Sequence, residues 1–270
     1  EAHSRLKSFI NKRIRNYKDQ RDLPALDATS TLSPYLAVGA ISLRQCLHAA
    51  RSAGEGLLEP GQPGIFTWIN ELLWREFYRH IAYGFPEVCR HKAFQPDTDM
   101  IPWRGVSPLF EAWCEGQTGY PLVDAGMRQL LATGWMHNRV RMVTAMFLSK
   151  HLFTDWRLGE KFFMQNLVDG DFCANNGGWQ WSASTGADAA PYFRVFNPTL
   201  QSQRFDAQGD YIREWVPELK HVKGPDIHSP SPLIARSAGY PLPVVEHKAA
   251  TEYVKRQFSQ LNAMRAQAAT

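Results

Sequence analysis

Residues Thr67–Tyr83 read TWINELLWREFYRHIAY, and this stretch decides the fold class. It reads as one strong helix that Gly84-Phe85-Pro86 stops. On that helix Trp68, Glu71 and Arg75 fall at i, i+3 and i+7 on one face, with Trp74 beside them. Working outward, Ser42 can cap a helix running to about Arg51, and residues 54–64 read as a surface loop. A helical stripe of Leu6, Phe9, Ile10, Ile14 and Tyr17 covers 1–17, and the Pro-broken stretch 18–34 reads as an ordered loop. Further helices are expected at 107–116, 121–133, 136–150, 158–167 and 171–182. An irregular, Pro-rich segment is expected over 197–245 and an amphipathic helix over 246–268. No stretch sustains period-2 alternation, and neither GxGxxG nor GxxxxGK[ST] occurs. The expected fold is all-α, a single helical domain over 1–270.

Composition narrows the classes. The 270 residues are 44% hydrophobic and 21% charged, which excludes a disordered tail. Four Cys, none in a CxxC pair, argue against a disulfide scaffold and against a zinc ribbon, and no metal site is expected. No apolar run approaches the ~20 residues of a membrane span, so no membrane partner is expected. The net charge of +4 suggests a local basic patch. Nine Trp are many for this length, and a Trp cluster suits either a packed core or a flat ligand. The chain opens on Glu1 with no leader pattern and reads as a piece of something longer.

Four segments carry chemistry. In the Thr67–Tyr83 helix, a carboxylate at Glu71 between Trp68 and Trp74 suits a pocket that stacks a base and accepts its N–H groups, although the same residues would suit a solvated Glu–Arg pair beside core indoles. In Gly134–Met142, GWMHNRVRM, Asn138 and Met142 at i, i+4 can face one cavity. There Arg139 and Arg141 diverge by about 200°, so one can meet a phosphate while the other pairs with an acid. His137 reads as structural. In Asp169–Trp181, DGDFCANNGGWQW, two acids around Gly170 at a helix start can hold a hydroxyl- or amine-bearing ligand edge, and Asn175-Asn176-Gly177-Gly178 suggests backbone close to a flat ligand. A calcium loop is discounted because its further acids are missing. In the fourth segment, Thr29-Ser30-Thr31-Leu32-Ser33 offers hydroxyls and backbone N–H groups for phosphate, or a capping box. Residues 1–21 add a local excess of Lys and Arg that fits attraction to a phosphate backbone.

Together, TSTLSPYLAVGAIS, WINELLWREFYRH, TGWMHNRVRM and DGDFCANNGGWQWSASTGADAAPYFRVFNP resemble the FAD-binding catalytic domain of the DNA photolyase/cryptochrome family. Within it the chain is most similar to the class I cyclobutane pyrimidine dimer photolyases of bacteria. The likeness runs from about Glu1 to His247. It implies a helical domain holding FAD in a folded conformation and repairing dimers in DNA by blue-light-driven electron transfer, with reduced flavin active. By resemblance, Tyr17 and Thr29, Ser30, Thr31, Leu32 and Ser33 contact the FAD phosphates and ribityl chain, and Trp68 lines the flavin site. Arg141 pairs with Asp169 near the ring, Gly170 and Asp171 belong to the cofactor site, and Asn175 sits beside flavin N5. Trp179, Trp156 and Trp103 match a chain that photoreduces the flavin. For the substrate, Arg21 and Arg139 match DNA-phosphate contacts, while Glu71 and Asn138 match contacts to a flipped dimer walled by Trp74, Trp181 and Met142.

The family's N-terminal α/β antenna domain is expected to be missing from this chain, so an antenna pigment is doubtful and such a domain would travel separately or have been removed. A cytoplasmic, nucleoid-associated monomer is expected. The alternative is a cryptochrome-like photoreceptor. Asn175 argues against it, since plant cryptochromes tend to carry Asp and animal ones Cys there. His137-Asn138, where (6-4) photolyases resemble a His-His pair, favours the cyclobutane substrate. A third reading is a DNA-binding module without flavin. The weaker match after Asp226 assigns no site there.

Overall fold

A computed structural model of the chain describes residues 1–54 and 62–268. The N-terminal part holds α1 (Ala2–Lys12), α2 (Tyr17–Gln20), α3 (Ser33–Ala37), α4 (Leu43–Ala53) and α5 (Pro63–Gly84). The middle holds α6 (Pro108–Cys114), α7 (Pro121–Thr133), α8 (Asn138–Met146), α9 (Trp156–Asn166) and α10 (Phe172–Ala183). The C-terminal part holds α11 (Pro198–Phe205), α12 (Asp210–Trp215), α13 (Pro232–Ala238) and α14 (His247–Ala268). Among the described residues there is no strand, only an isolated bridge between Arg104 and Thr154, and no helix is long and apolar enough to cross a membrane.

Local chemistry accounts for most boundaries. Ser42 opens α4 with a reciprocal capping box: Gln45 N–H donates to Ser42 Oγ at 3.2 Å, and Ser42 N–H donates to Gln45 Oε1 at 2.8 Å. Asp171 caps α10 by accepting from Ala174 N–H at 3.0 Å, a contact worth about 1 kcal/mol. His137, as expected, is structural: buried, it caps α8 through Nδ1, which accepts from Arg139 N–H at 3.2 Å, and burial pulls its pKa down to about 4.

Several expectations are corrected. The 1–17 stripe does not form one helix, because α1 ends at Arg13 and a 3-10 turn, Ile14–Asn16, leads into α2. Helix α5 starts at Pro63, four residues early, since proline at N1 begins a helix without losing a needed donor. The loop expected over 54–64 lies, for residues 55–61, outside the described residues. A Cβ at Gly64 would fall 2.2 Å from the Ile14 carbonyl oxygen, so this glycine lets α5 dock on the turn between α1 and α2. The helix expected over 136–150 gives way to a π turn at Phe147–His151. The Pro-rich stretch 197–245 is not irregular throughout. Pro198 and Pro232 stand at the first turns of α11 and α13, and Gly209 and Gly239 take positive φ at the boundaries of α12 and α13.

Two apolar cores flank the future site. One joins α1, α4 and α5 around Phe9, Ile14, Leu32, Cys46 and Trp68. The larger joins α6 to α13 around Trp113, Met127, Phe147, Trp156 and Trp179. Helix α10 packs on α5, α8 and α9 and so ties the two halves. A third cluster seats α14 through Val254, Phe258 and Leu261 against Ile101 and Phe153.

Candidate FAD and DNA site

A cavity opens between the two cores. The loop from Thr29 to Ser33, α5, α8 and α10 all contribute to its wall. Helix α5 supplies Trp68, Glu71 and Arg75; α8 supplies Asn138, Arg141 and Met142; Asp169, Asp171, Asn175, Gly178 and Trp179 come from α10 and the turn before it. Tyr17 also lines it, and burial raises its phenol pKa well above the usual range.

The loop is held in an uncommon shape. Thr31 has φ +49°, a left-handed conformation that a β-branched residue rarely takes. Arg5 Nη1 donates to Thr31 Oγ1 at 3.1 Å, and Thr31 Oγ1 donates to the Ser30 carbonyl at 2.8 Å. Strain maintained by outside contacts is a mark of a functional loop.

The charges along the wall are paired. Arg141 Nη2 donates to Asp169 at 2.8 and 3.0 Å, and its Nε donates to the Met136 carbonyl at 2.7 Å. Asp169 is buried, which makes this pair a fixed feature of the wall. Asp171 Oδ2 accepts from Arg75 Nη2 at 2.7 Å and from Arg79 Nη2 at 3.4 Å. Burial lowers the Arg75 pKa, against the pull of Asp171, and the buried Arg75 Nε–H has no hydrogen-bond partner among the described residues. Asn175 donates through Nδ2 to the Glu160 carbonyl at 3.0 Å. Behind it Asn176 Nδ2 donates to Glu160 Oε1 at 2.9 Å, and desolvation raises the Glu160 pKa.

These features suit a flat, phosphate-bearing ligand. An orphaned guanidinium N–H, a run of hydroxyls in a strained loop and a glycine whose Cβ would meet nothing within 4 Å all face or border one space. The two neighbouring glycines separate in role: Gly178 lines the cavity, while a Cβ at Gly177 would strike the Tyr78 ring at 2.0 Å.

Not every expected residue reaches the cavity. Gly170 lies outside its lining, where its Cα faces the Leu167 carbonyl and Met164. Trp74 is 42% exposed and packs on Phe77 and Tyr78 outside the lining, because its position on α5 turns away from the Trp68–Glu71 face. Trp181 likewise stands outside, against Phe196 at 6.2 Å, since it sits about 200° round α10 from Trp179. Arg21 and Arg139 are drawn to acids of this chain: Arg21 Nη1 meets Glu71 at 2.5 Å, and Arg139 Nη2 meets Asp22 at 2.9 Å. Trp179 reaches the cavity, with Trp113 at 5.9 Å and Phe163 at 5.0 Å as ring neighbours. Trp156 is fully buried, and Trp103 packs on Phe153 and Phe258. All three indole N–H groups are buried without a hydrogen-bond partner among the described residues. Sequence reasoning missed Glu160 behind Asn175 and Arg75 as the partner of Asp171. The signal for Arg75 was its place on the Glu71 face; nothing local pointed to Glu160.

The fold and site define a helical domain built to hold a phosphate-bearing, flat cofactor. The chain belongs to the photolyase/cryptochrome family: residues 68–260 match the family described as the FAD binding domain of DNA photolyase, and FAD is its cofactor. It is 52% identical over 253 residues to the deoxyribodipyrimidine photo-lyase of Escherichia coli, covering 92% of this chain and 53% of that protein. The Agrobacterium tumefaciens class III photolyase structure superposes with a TM-score of 0.90 at 43% identity, over 97% of this chain and 55% of that one. A Synechocystis cryptochrome structure superposes at 0.86 with 36% identity, over 94% and 55%. The chain thus spans about half the length of the curated relatives it matches.

Proposed function

We propose that this chain is the catalytic part of a light-driven enzyme that repairs cyclobutane pyrimidine dimers in DNA. The observation that carries the reading is one cavity lined both by the polar cofactor cradle and by Glu71, Asn138 and Met142. Relatives named deoxyribodipyrimidine photo-lyase at about half identity support it. When bound, reduced FAD excited by light supplies the electron that opens the cyclobutane ring and takes it back afterwards.

The protein's part is position and electrostatics. Thr29 to Ser33 and the Arg75 Nε–H would hold the cofactor's phosphate oxygens, and the Arg141–Asp169 pair fixes charge in the cavity wall. With its Nδ2 anchored on the Glu160 carbonyl, Asn175 presents Oδ1 as an acceptor, which suits a ring N–H. Glu71 accepts N–H groups of the damaged bases, and Met142 provides an apolar wall. A base reaches such a pocket only when turned out of the duplex, the mode that enzymes acting on bases use, photolyases among them. Trp179, Trp156 and Trp103 would supply electrons to the flavin when it is bound. The class I assignment rests on the residue strings alone, and a class III photolyase structure superposes at 43% identity; Asn138 with Met142 favours the cyclobutane substrate.

The photoreceptor reading is second, and the cryptochrome superposition is the observation behind it. The test is repair of a thymine-dimer oligonucleotide by the purified, FAD-loaded and reduced chain, illuminated or dark. Light-dependent return of intact thymines is expected. Bound, reduced flavin without repair would overturn the enzyme reading in favour of a sensory one.

A further inference from the structure

At the rim of the cavity four side chains alternate in charge: Glu71, Arg21, Asp22 and Arg139. Arg21 Nη1 donates to Glu71 Oε1 at 2.5 Å, while its Nε stands 3.8 Å from Asp22 Oδ1. Arg139 grips the same Asp22 with two donors, Nη2 to Oδ2 at 2.9 Å and Nε to Oδ1 at 3.3 Å. The Arg139 guanidinium also lies over the Phe205 ring at 4.4 Å. The side chains of Arg21, Arg139 and Asp22 are 22%, 16% and 31% exposed, so the chain of charges is covered but reachable. Asp22 does not line the cavity. Its only ion-pair partners among the described residues are the two arginines.

We propose that Asp22 determines specificity for damaged DNA by passing the state of Glu71 to Arg139. The proposal rests on the dimer-repair reading of the cavity. While Glu71 holds Arg21, Asp22 belongs to Arg139 and cancels the charge that would attract a phosphate. When the edge of a flipped dimer engages Glu71, Arg21 is released and needs only to close a 3.8 Å gap to take over Asp22. Arg139 is then free to pair with a backbone phosphate. Undamaged DNA leaves Glu71 with Arg21 and therefore meets an Arg139 already neutralised. Phosphate contacts by themselves carry no sequence or damage information; here one acid makes their strength conditional on base readout.

The experiment compares dimer-containing and undamaged duplexes, bound by the FAD-loaded chain in the dark across a salt series, for wild type, Asp22→Asn and Asp22→Glu. Asp22→Asn should bind undamaged duplex several-fold tighter at low salt. One more phosphate neutralised steepens the log–log salt slope by about 0.9, an extra three- to fourfold loss between about 50 and 200 mM salt. Affinity for the dimer should change less, so discrimination falls, and Asp22→Glu should keep it. Melting temperature and bound flavin confirm an intact fold, and Asp22→Ser gives the same readout should Asn disturb it. An unchanged or weaker affinity for undamaged DNA, or an equal shift for both duplexes, overturns the proposal. A wild-type chain with no preference for the dimer removes the repair reading together with it, whereas a preference that survives Asp22→Asn removes the proposal alone.

Discussion

Replacing Gly178 by Ala should make the flavin-free protein more stable and the cofactor bind more weakly. Gly178 lies inside α10 and lines the cavity, and an ideal Cβ there meets no heavy atom within 4 Å. Alanine in a helix interior is favoured over glycine by about 0.5–1 kcal/mol. For 270 residues the unfolding entropy, at about 2.1 cal/mol/K per residue, comes to about 0.57 kcal/mol/K, so the melting temperature should rise by about 1–2 °C. On the proposed placement of the cofactor, the same methyl group enters space the flavin would occupy. Overpacking costs about 1–3 kcal/mol, which weakens FAD binding by about 5- to 150-fold. The assay is a thermal melt of flavin-free protein beside an FAD titration followed by flavin fluorescence. The two effects have opposite signs, so general damage to the fold cannot imitate them. Unchanged FAD affinity would refute the placement of the cofactor along α10, and a lowered melting temperature would show that the space beside Gly178 is packed.

Gly159→Ala should do the reverse to the fold: its Cβ would fall 2.1 Å from the Trp179 ring and 2.6 Å from Leu148, both buried. A cost of about 1–3 kcal/mol lowers the melting temperature by about 2–5 °C, and a wild-type melt would show that Trp179 is not wedged there. Glu71→Ala should weaken dimer binding by about 1–3 kcal/mol, through N–H groups left unpaired, while FAD stays bound; flavin release on this change would move Glu71 into the cofactor site. Lys150, buried with Ser184 Oγ at 2.8 Å and the Phe258 ring at 4.1 Å beside its ammonium, has its pKa pulled by burial from 10.5 to about 7. Between about pH 7 and 10.5 the unfolded chain binds the proton and the folded chain does not, so stability rises with pH across that window and carries the full penalty below it. Lys150→Met should flatten the rise in melting temperature from pH 7 to 10, and equal slopes in the two proteins would refute this account.

How much was legible depended on the range of the interaction. The Ser42 cap of α4 was visible because a cap acts on backbone within three residues, and the structure adds Gln45 as its reciprocal partner. The short helices of 197–245 were missed because proline was read as a breaker, although at the first turn it starts a helix. Near the site, Trp68 and Trp74 were both assigned to the pocket from their closeness in sequence. Only packing on the Phe9 side, 5.0 Å from the Trp68 ring, shows that Trp68 turns inward and Trp74 outward.

By itself the sequence determined the helical class, most helix positions, the family, and the strings that supply the cavity wall. The helical class and the helix positions follow from backbone hydrogen bonding, side-chain periodicity and steric rules that act within a few residues, whereas the family was legible only through the resemblance of those strings. Only the tertiary structure decided the partners: Arg75 with Asp171 across 96 positions, Arg21 with Glu71 across 50, and Arg139 with Asp22 across 117. Such pairs form where helix packing removes water from charged groups and leaves each to find an opposite charge within reach. That requirement is met in space and leaves no local pattern along the chain.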